Sequence, residues 1–161
     1  MNKKALFITQ AAMIAALYVV LTVFINAFNL ASGAIQVRIS EALTVLPFFT
    51  PAAIPGLFIG CLISNIVTGC LPWDVVFGSM ATLIGALGTY ALRKYKFLAP
   101  IPPILANALI VPIILIKVYA IPDAYWFLLL TVGAGEVISC GILGMILLFA
   151  LNKYKDTIFR Q

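Results

Sequence analysis

The 161-residue sequence contains no histidine and only five acidic residues, and charged residues make up 9% of it. Without histidine the commonest metal ligand and general base is gone. Zinc-protease chemistry and Ser/His nucleophile pairs are excluded with it. No Walker motif is present, so the chain brings no ATPase of its own. Cys61, Cys70 and Cys140 show neither CxxC nor Cys/His spacing. No disulfide framework or metal site is implied, and the three read as buried, inert thiols. The net charge of +5 is spread over short loops and not gathered on one face, which argues against nucleic acid. Internal repeats, low-complexity tracts and a soluble domain are also missing.

What is present is hydrocarbon. Apolar residues make up 64% of the chain, against about 45–50% in soluble domains. The composition predicts one all-α integral membrane domain over residues 1–161. Five apolar segments stand out, at 5–28, 40–69, 75–92, 101–120 and 124–151. Each suffices for a crossing that needs about 20 helical residues. The first, behind Lys3 and Lys4, is too long for a signal-peptide core and reads as a retained helix. The second holds Pro47, Pro51 and Pro55. A proline removes a backbone donor and clashes with the preceding turn, so this segment is expected to fold into two short spans, near 39–49 and 52–69.

Loop charge supports the split. With six spans, Lys3, Lys4, Arg93, Lys94, Lys96, Lys153, Lys155 and Arg160 share one side, and only Arg38 and Lys117 face the other. Cytoplasmic loops carry the excess of Lys and Arg. The expected topology therefore has six transmembrane helices and both termini cytoplasmic, in a plasma membrane. At ~1.5 Å per residue the first short span is too short to cross alone, so it is expected to be tilted or flanked by non-helical backbone buried in protein. The outer connection at 29–38 is the longest and is expected to fold over a site.

Ionisable residues inside a membrane are costly and usually face a cavity or a partner. Glu136, between small residues in "VGAGEVIS", is predicted close to the midplane of the last helix. It either lines a polar cavity or forms an ion pair with Lys117 or Arg38. Glu41 lies about one turn beyond Arg38, and Asp74 follows Trp73. Asn65 sits where it could reach the same cavity, whereas Asn107 reads either as a deeper site residue or as interhelical glue. Trp73, Tyr125 and Trp126 fit an aromatic belt or a stacking wall. On the first helix, Ala11 with Ala15 and Ala12 with Ala16 are small residues one turn apart, suited to close helix packing inside the bundle or against a second membrane protein.

The block "RISEALTVLPFFTPAAIPGLF", followed by "DVVFGSMATLIGA", resembles the QueT family of S components of energy-coupling factor (ECF) transporters, and the alanine face resembles their AxxxA docking motif. The resemblance implies a non-catalytic, substrate-binding subunit. It would capture a 7-deazaguanine queuosine precursor, such as the 7-aminomethyl form or queuine. It would then dock through Ala11, Ala12, Ala15 and Ala16 onto a coupling subunit carrying two ATPases, and topple to deliver the ligand. No cofactor or metal is implied. A flat base with a donor pair and an added cation suits Glu41, Asp74 and Glu136 as acceptors, with Arg38, Asn65, Asn107, Lys117, Trp73 and Trp126 as further contacts. Other readings are an S component for thiamin or riboflavin, a proton-coupled carrier using Glu136, or an intramembrane enzyme.

Overall fold

A computed structural model describes residues 2–28 and 37–159, with the side chain of Asp156 excepted. The expectation of a connection folding over the site falls mostly on 29–36, outside the described residues. The described chain forms a helical bundle. Helix α1 covers Lys3–Ala27. A 3₁₀ helix, Ile39–Phe48, and α2, Ala53–Val67, make the two short spans. They are followed by α3, Pro72–Ala91, and α4, Ile101–Lys117. The last crossing, Tyr125–Asn152, runs unbroken through α5 (Tyr125–Glu136), a π-helical stretch (Val137–Leu143) and α6 (Gly144–Asn152). A short α7, Lys155–Ile158, ends the described chain.

The proline-rich segment bends where the prolines require it. Between Phe48 and Ala53 the chain turns at Phe49, Pro51 and Ala52, and α2 begins two residues before Pro55. Proline in a first turn removes no bond that the helix would have made. The first short span is a ten-residue 3₁₀ helix, where an α-helix was expected. At about 2.0 Å per residue it extends about 20 Å, against about 15 Å for an α-helix of the same length. This tighter winding gives a short span extra reach. Residues Ser40 to Pro47 are all buried, so protein surrounds the irregular backbone on every side.

Helix ends follow local rules. Gly69 adopts φ +77° after α2, and the Cys70 and Gly69 amides donate to the Asn65 and Ile66 carbonyls at 2.9 and 3.1 Å. This is a Schellman ending, in which a left-handed residue is required. Pro72 then opens α3 in its first turn.

The bundle is apolar outside and buries polar groups beside its apolar core. Val20, Leu130 and Ile146 are each more than 60% exposed, whereas Glu41, Asn65 and Ser139 are 1% exposed. That inversion is stable only when hydrocarbon surrounds the protein. Two crossings are tight. Gly56 and Gly60 of α2 meet the Ala11 carbonyl and Tyr18 Cβ of α1, where an added Cβ would sit 2.7 and 2.8 Å away. Gly85 and Gly88 of α3 meet Pro103 and Pro102 of α4 in the same way. The Ala11/Ala15 side of α1 thus packs inward, and Ala15 is buried. Ala12 and Ala16 are exposed.

Charge is divided between the two ends. Lys3 shares a hollow with Thr50 and Pro51, and Arg93, Lys94, Lys96 and Lys155 surround Phe48 and Phe49. Arg38 lies at the opposite end of the 3₁₀ helix, in a cavity with Tyr119 from just beyond α4.

Candidate functional site

The polar interior is built around the first turn of the 3₁₀ helix. Glu41 points inward there and accepts a hydrogen bond from the Tyr18 hydroxyl of α1. The Asn107 amide of α4 donates to its other oxygen at a long 3.5 Å. The Glu41 carbonyl accepts from Thr44 Oγ1 at 2.6 Å, and Cys140 Sγ lies 3.4 Å from it. From the last crossing, Glu136 Oε2 accepts from Cys140 Sγ at 3.1 Å. The π-helical stretch starts directly after Glu136 and carries Ser139 and Cys140, both buried. The extra residue per turn re-aims the side chains that follow it, and π-bulges recur at functional sites. Gly144 lets this helix approach the 3₁₀ helix, since a Cβ there would lie 2.9 Å from Val45.

Arg38 joins this interior to open space. Its backbone amide donates to Ser139 Oγ at 3.1 Å, and its Nη2 donates to Asn65 Oδ1 at 3.0 Å. Above it lies a cavity of about 310 Å³, walled by Arg38, Ser40, Thr22, Thr68, Asp74 and Tyr119. The Thr22 and Ser40 hydroxyls are 2.8 Å apart. On the far wall Tyr119 donates to Asp74 Oδ2 at 2.8 Å and accepts from the Leu71 amide at 3.3 Å. Partial burial and the bond to Asp74 push the Tyr119 phenol well above its ordinary range, so it remains a hydrogen donor. Ala120, the next residue, has φ 50°. That conformation costs a residue with a Cβ of order 1 kcal/mol or more. It turns the chain back, so that Ile121 also lines the cavity.

Five sequence-predicted residues meet in this region: Arg38, Glu41, Asn65, Asn107 and Glu136. Asp74 shares the cavity with Arg38. Three stand apart from it. Trp73 is 63% exposed and stacks on Phe77 at 6.1 Å, and Trp126 is 73% exposed against Tyr125 at 5.5 Å. Lys117, in the last turn of α4, is exposed, and Glu136 is bonded to Cys140. Sequence reasoning missed Tyr18, Thr22, Ser40, Ser139 and Tyr119. Ala15, Tyr18, Thr22 and Ile25 fall at alternating three- and four-residue steps on α1, so the signal for Tyr18 and Thr22 was present. Cys140, read as inert, is a member of the network.

The site is suited to binding. Its donors and acceptors come from α1, the 3₁₀ helix, α2, α4, α5 and the π-helical stretch, and α3 adds Asp74 at the rim. Glu41, Glu136 and Cys140 bring one donor atom each within 4.8 Å of one another, a spacing that a small cation could use. The Tyr18 hydroxyl, the Asn107 amide and the Cys140 thiol already aim hydrogens at these carboxylates, which satisfies them without an ion.

Residues 8–153, which contain the whole network and cavity, match the QueT transporter family. The chain belongs to that family. The family model is that of transporters, and the apolar helices of this chain make it a multi-pass membrane protein. A curated relative, the queuosine precursor transporter QueT of Lactococcus lactis subsp. cremoris (strain MG1363), is 37% identical over 97 residues. That alignment covers 59% of this chain and 56% of the relative, so the match spans little more than half of either. No solved structure matches the chain.

Proposed function

We propose that the chain is the substrate-binding S component of an ECF-type importer for a queuosine precursor. The observation that carries this reading is the cavity between Arg38 and Asp74, resting on a buried polar network, in a chain whose family and curated relative are transporters. About 310 Å³ is the lower end of small-ligand cavities, which start near ~300 Å³, and suits one flat bicyclic base. Asp74 supplies an acceptor for a ring N–H and exocyclic amine, and Arg38 a donor for a ring carbonyl. Glu41 and Glu136 lie behind Arg38, where a ligand's aminomethyl cation would be drawn. With both termini cytoplasmic, the cavity faces outward.

Delivery needs partners, because the chain has no nucleotide-binding motif. Ala11, Ala12, Ala15 and Ala16 line an apolar groove of about 690 Å³ between α1 and α2. This groove is the surface offered to a coupling subunit, which would bring two ATPases and drive toppling. Calorimetry of purified protein with 7-aminomethyl-7-deazaguanine tests the substrate, with saturable one-to-one binding expected. Binding of thiamin or riboflavin in its place would overturn it. Uptake that persists without the ATPases and follows the proton gradient would transfer the assignment to a secondary carrier using Glu136.

A further inference from the structure

At the end of the bundle opposite Arg38 lies a second cavity, of about 470 Å³, that plays no part in the proposed ligand site. Three separated pieces of chain build it. Phe49 comes from the end of the 3₁₀ helix, Arg93, Lys94 and Lys96 from the α3–α4 connection, and Lys155 and Phe159 from the C-terminal segment. Among the described residues the lining holds four cations and no carboxylate. Two contacts hold this arrangement in place. The Phe49 and Phe159 rings stack at 5.0 Å with planes 4° apart, pinning the C-terminal segment to the 3₁₀ helix. The Arg93 guanidinium lies 4.1 Å from the Tyr90 ring centroid.

Like charges converging on one hollow repel each other, and an anion placed among them removes that cost. The surroundings say what carries the anion. Phe97, next to Lys96, is 74% exposed and meets half-exposed Phe149 edge-on at 6.1 Å. Apolar rings facing outward beside a cationic hollow fit an anionic group with hydrocarbon attached. We propose that this cavity binds the phosphate headgroup of an anionic phospholipid, with an acyl chain running along Phe97 and Phe149. A basic pocket at the level of the headgroups is suited to this.

The test uses the full chain in nanodiscs of pure phosphatidylcholine or of phosphatidylcholine with phosphatidylglycerol, read by thermal unfolding. Phosphatidylglycerol is expected to raise the Tm of the wild type. Lys96→Gln with Lys155→Gln should abolish that rise while leaving the Tm in phosphatidylcholine unchanged. Lys4→Gln with Lys153→Gln removes the same charge outside the cavity and should keep the rise. Equal loss in both double variants would reduce the effect to diffuse charge and overturn the site, as would no rise in the wild type. A full rise from inorganic phosphate in phosphatidylcholine discs would assign the cavity to free phosphate and overturn the lipid. Native mass spectrometry gives an independent reading that does not depend on stability. Retained phosphatidylglycerol is expected on the wild type and the Lys4/Lys153 variant, and its retention by the Lys96/Lys155 variant would sink the proposal.

Discussion

The Arg38 guanidinium donates to Asn65 Oδ1 at 3.0 Å, and this one contact ties the mouth of the 3₁₀ helix to the far end of α2. Arg38 also lines the cavity, so the bond orients the charge that a ligand would meet. Asn65→Leu leaves that guanidinium without its acceptor. Ligand affinity is expected to fall tenfold or more, about 1.4 kcal/mol, with the protein still folded. Calorimetry checks it, and unchanged affinity would remove Asn65 from the positioning role.

Glu41 and Glu136 make a paired prediction. Glu41→Gln and Glu136→Gln keep shape and remove charge, and each is expected to weaken binding of a cationic 7-deazaguanine by about tenfold or more. A neutral analogue lacking the aminomethyl group should lose less. If both variants bound the cationic form as tightly as wild type, the carboxylates would be structural only.

Tyr119 gives a pH signature. Its phenol is held above the ordinary value by burial and by Asp74. A raised folded pKa contributes stability that is complete below the unfolded value of about 10 and is lost as the pH climbs through the folded value. An ultraviolet titration of wild type minus Tyr119→Phe should show one tyrosinate forming late. A tyrosinate forming at the ordinary pH would refute the Asp74 bond.

Gly60 and Gly133 predict opposite outcomes for the same change. A Cβ on Gly60 would lie 2.8 Å from Tyr18 Cβ, whereas on Gly133 the nearest atom is 3.8 Å away. Gly60→Ala should destabilise by about 1–3 kcal/mol, because α1 and α2 must separate beside Glu41's hydroxyl partner. Gly133→Ala should be neutral or slightly stabilising. Thermal unfolding in one detergent compares them directly.

The alanine face also calls for two variants. Ala16 is exposed on the groove between α1 and α2, and Ala15 is buried beside Gly60. Ala16→Trp should spare ligand binding and stop uptake, with coupling-subunit co-purification lost in parallel. Ala15→Trp should lower Tm as well, since its ring has no room. Normal co-purification of Ala16→Trp would exclude the groove as the docking surface.

Much of the fold is legible along the chain because hydropathy and proline act locally. Lipid needs a run of apolar residues for each crossing, and Pro47, Pro51 and Pro55 prevent the second run from staying straight. The number of helices and their order follow from those two facts. Arg38, Glu41, Asn65 and Glu136 also stood out, since a polar residue in an apolar run is conspicuous without any structure. The winding of residues 39–48 did not, because its 3₁₀ form depends on the protein packed around it.

The grouping of those polar residues came only with the tertiary structure. Tyr18 meets Glu41 across 23 residues, Asn107 meets Glu41 across 66, and Arg38 meets Ser139 across 101. No local pattern encodes such pairs; helix crossings set them, at Gly56, Gly60, Gly85 and Gly144, where the missing side chain lets backbones close. The same crossings turned Ala15 inward and left Ala16 outside, and the π-helical stretch brought Cys140 onto Glu136. The sequence determined that polar groups lie within the membrane. Packing decided which of them satisfy one another, because a buried donor in hydrocarbon must find its acceptor inside the protein.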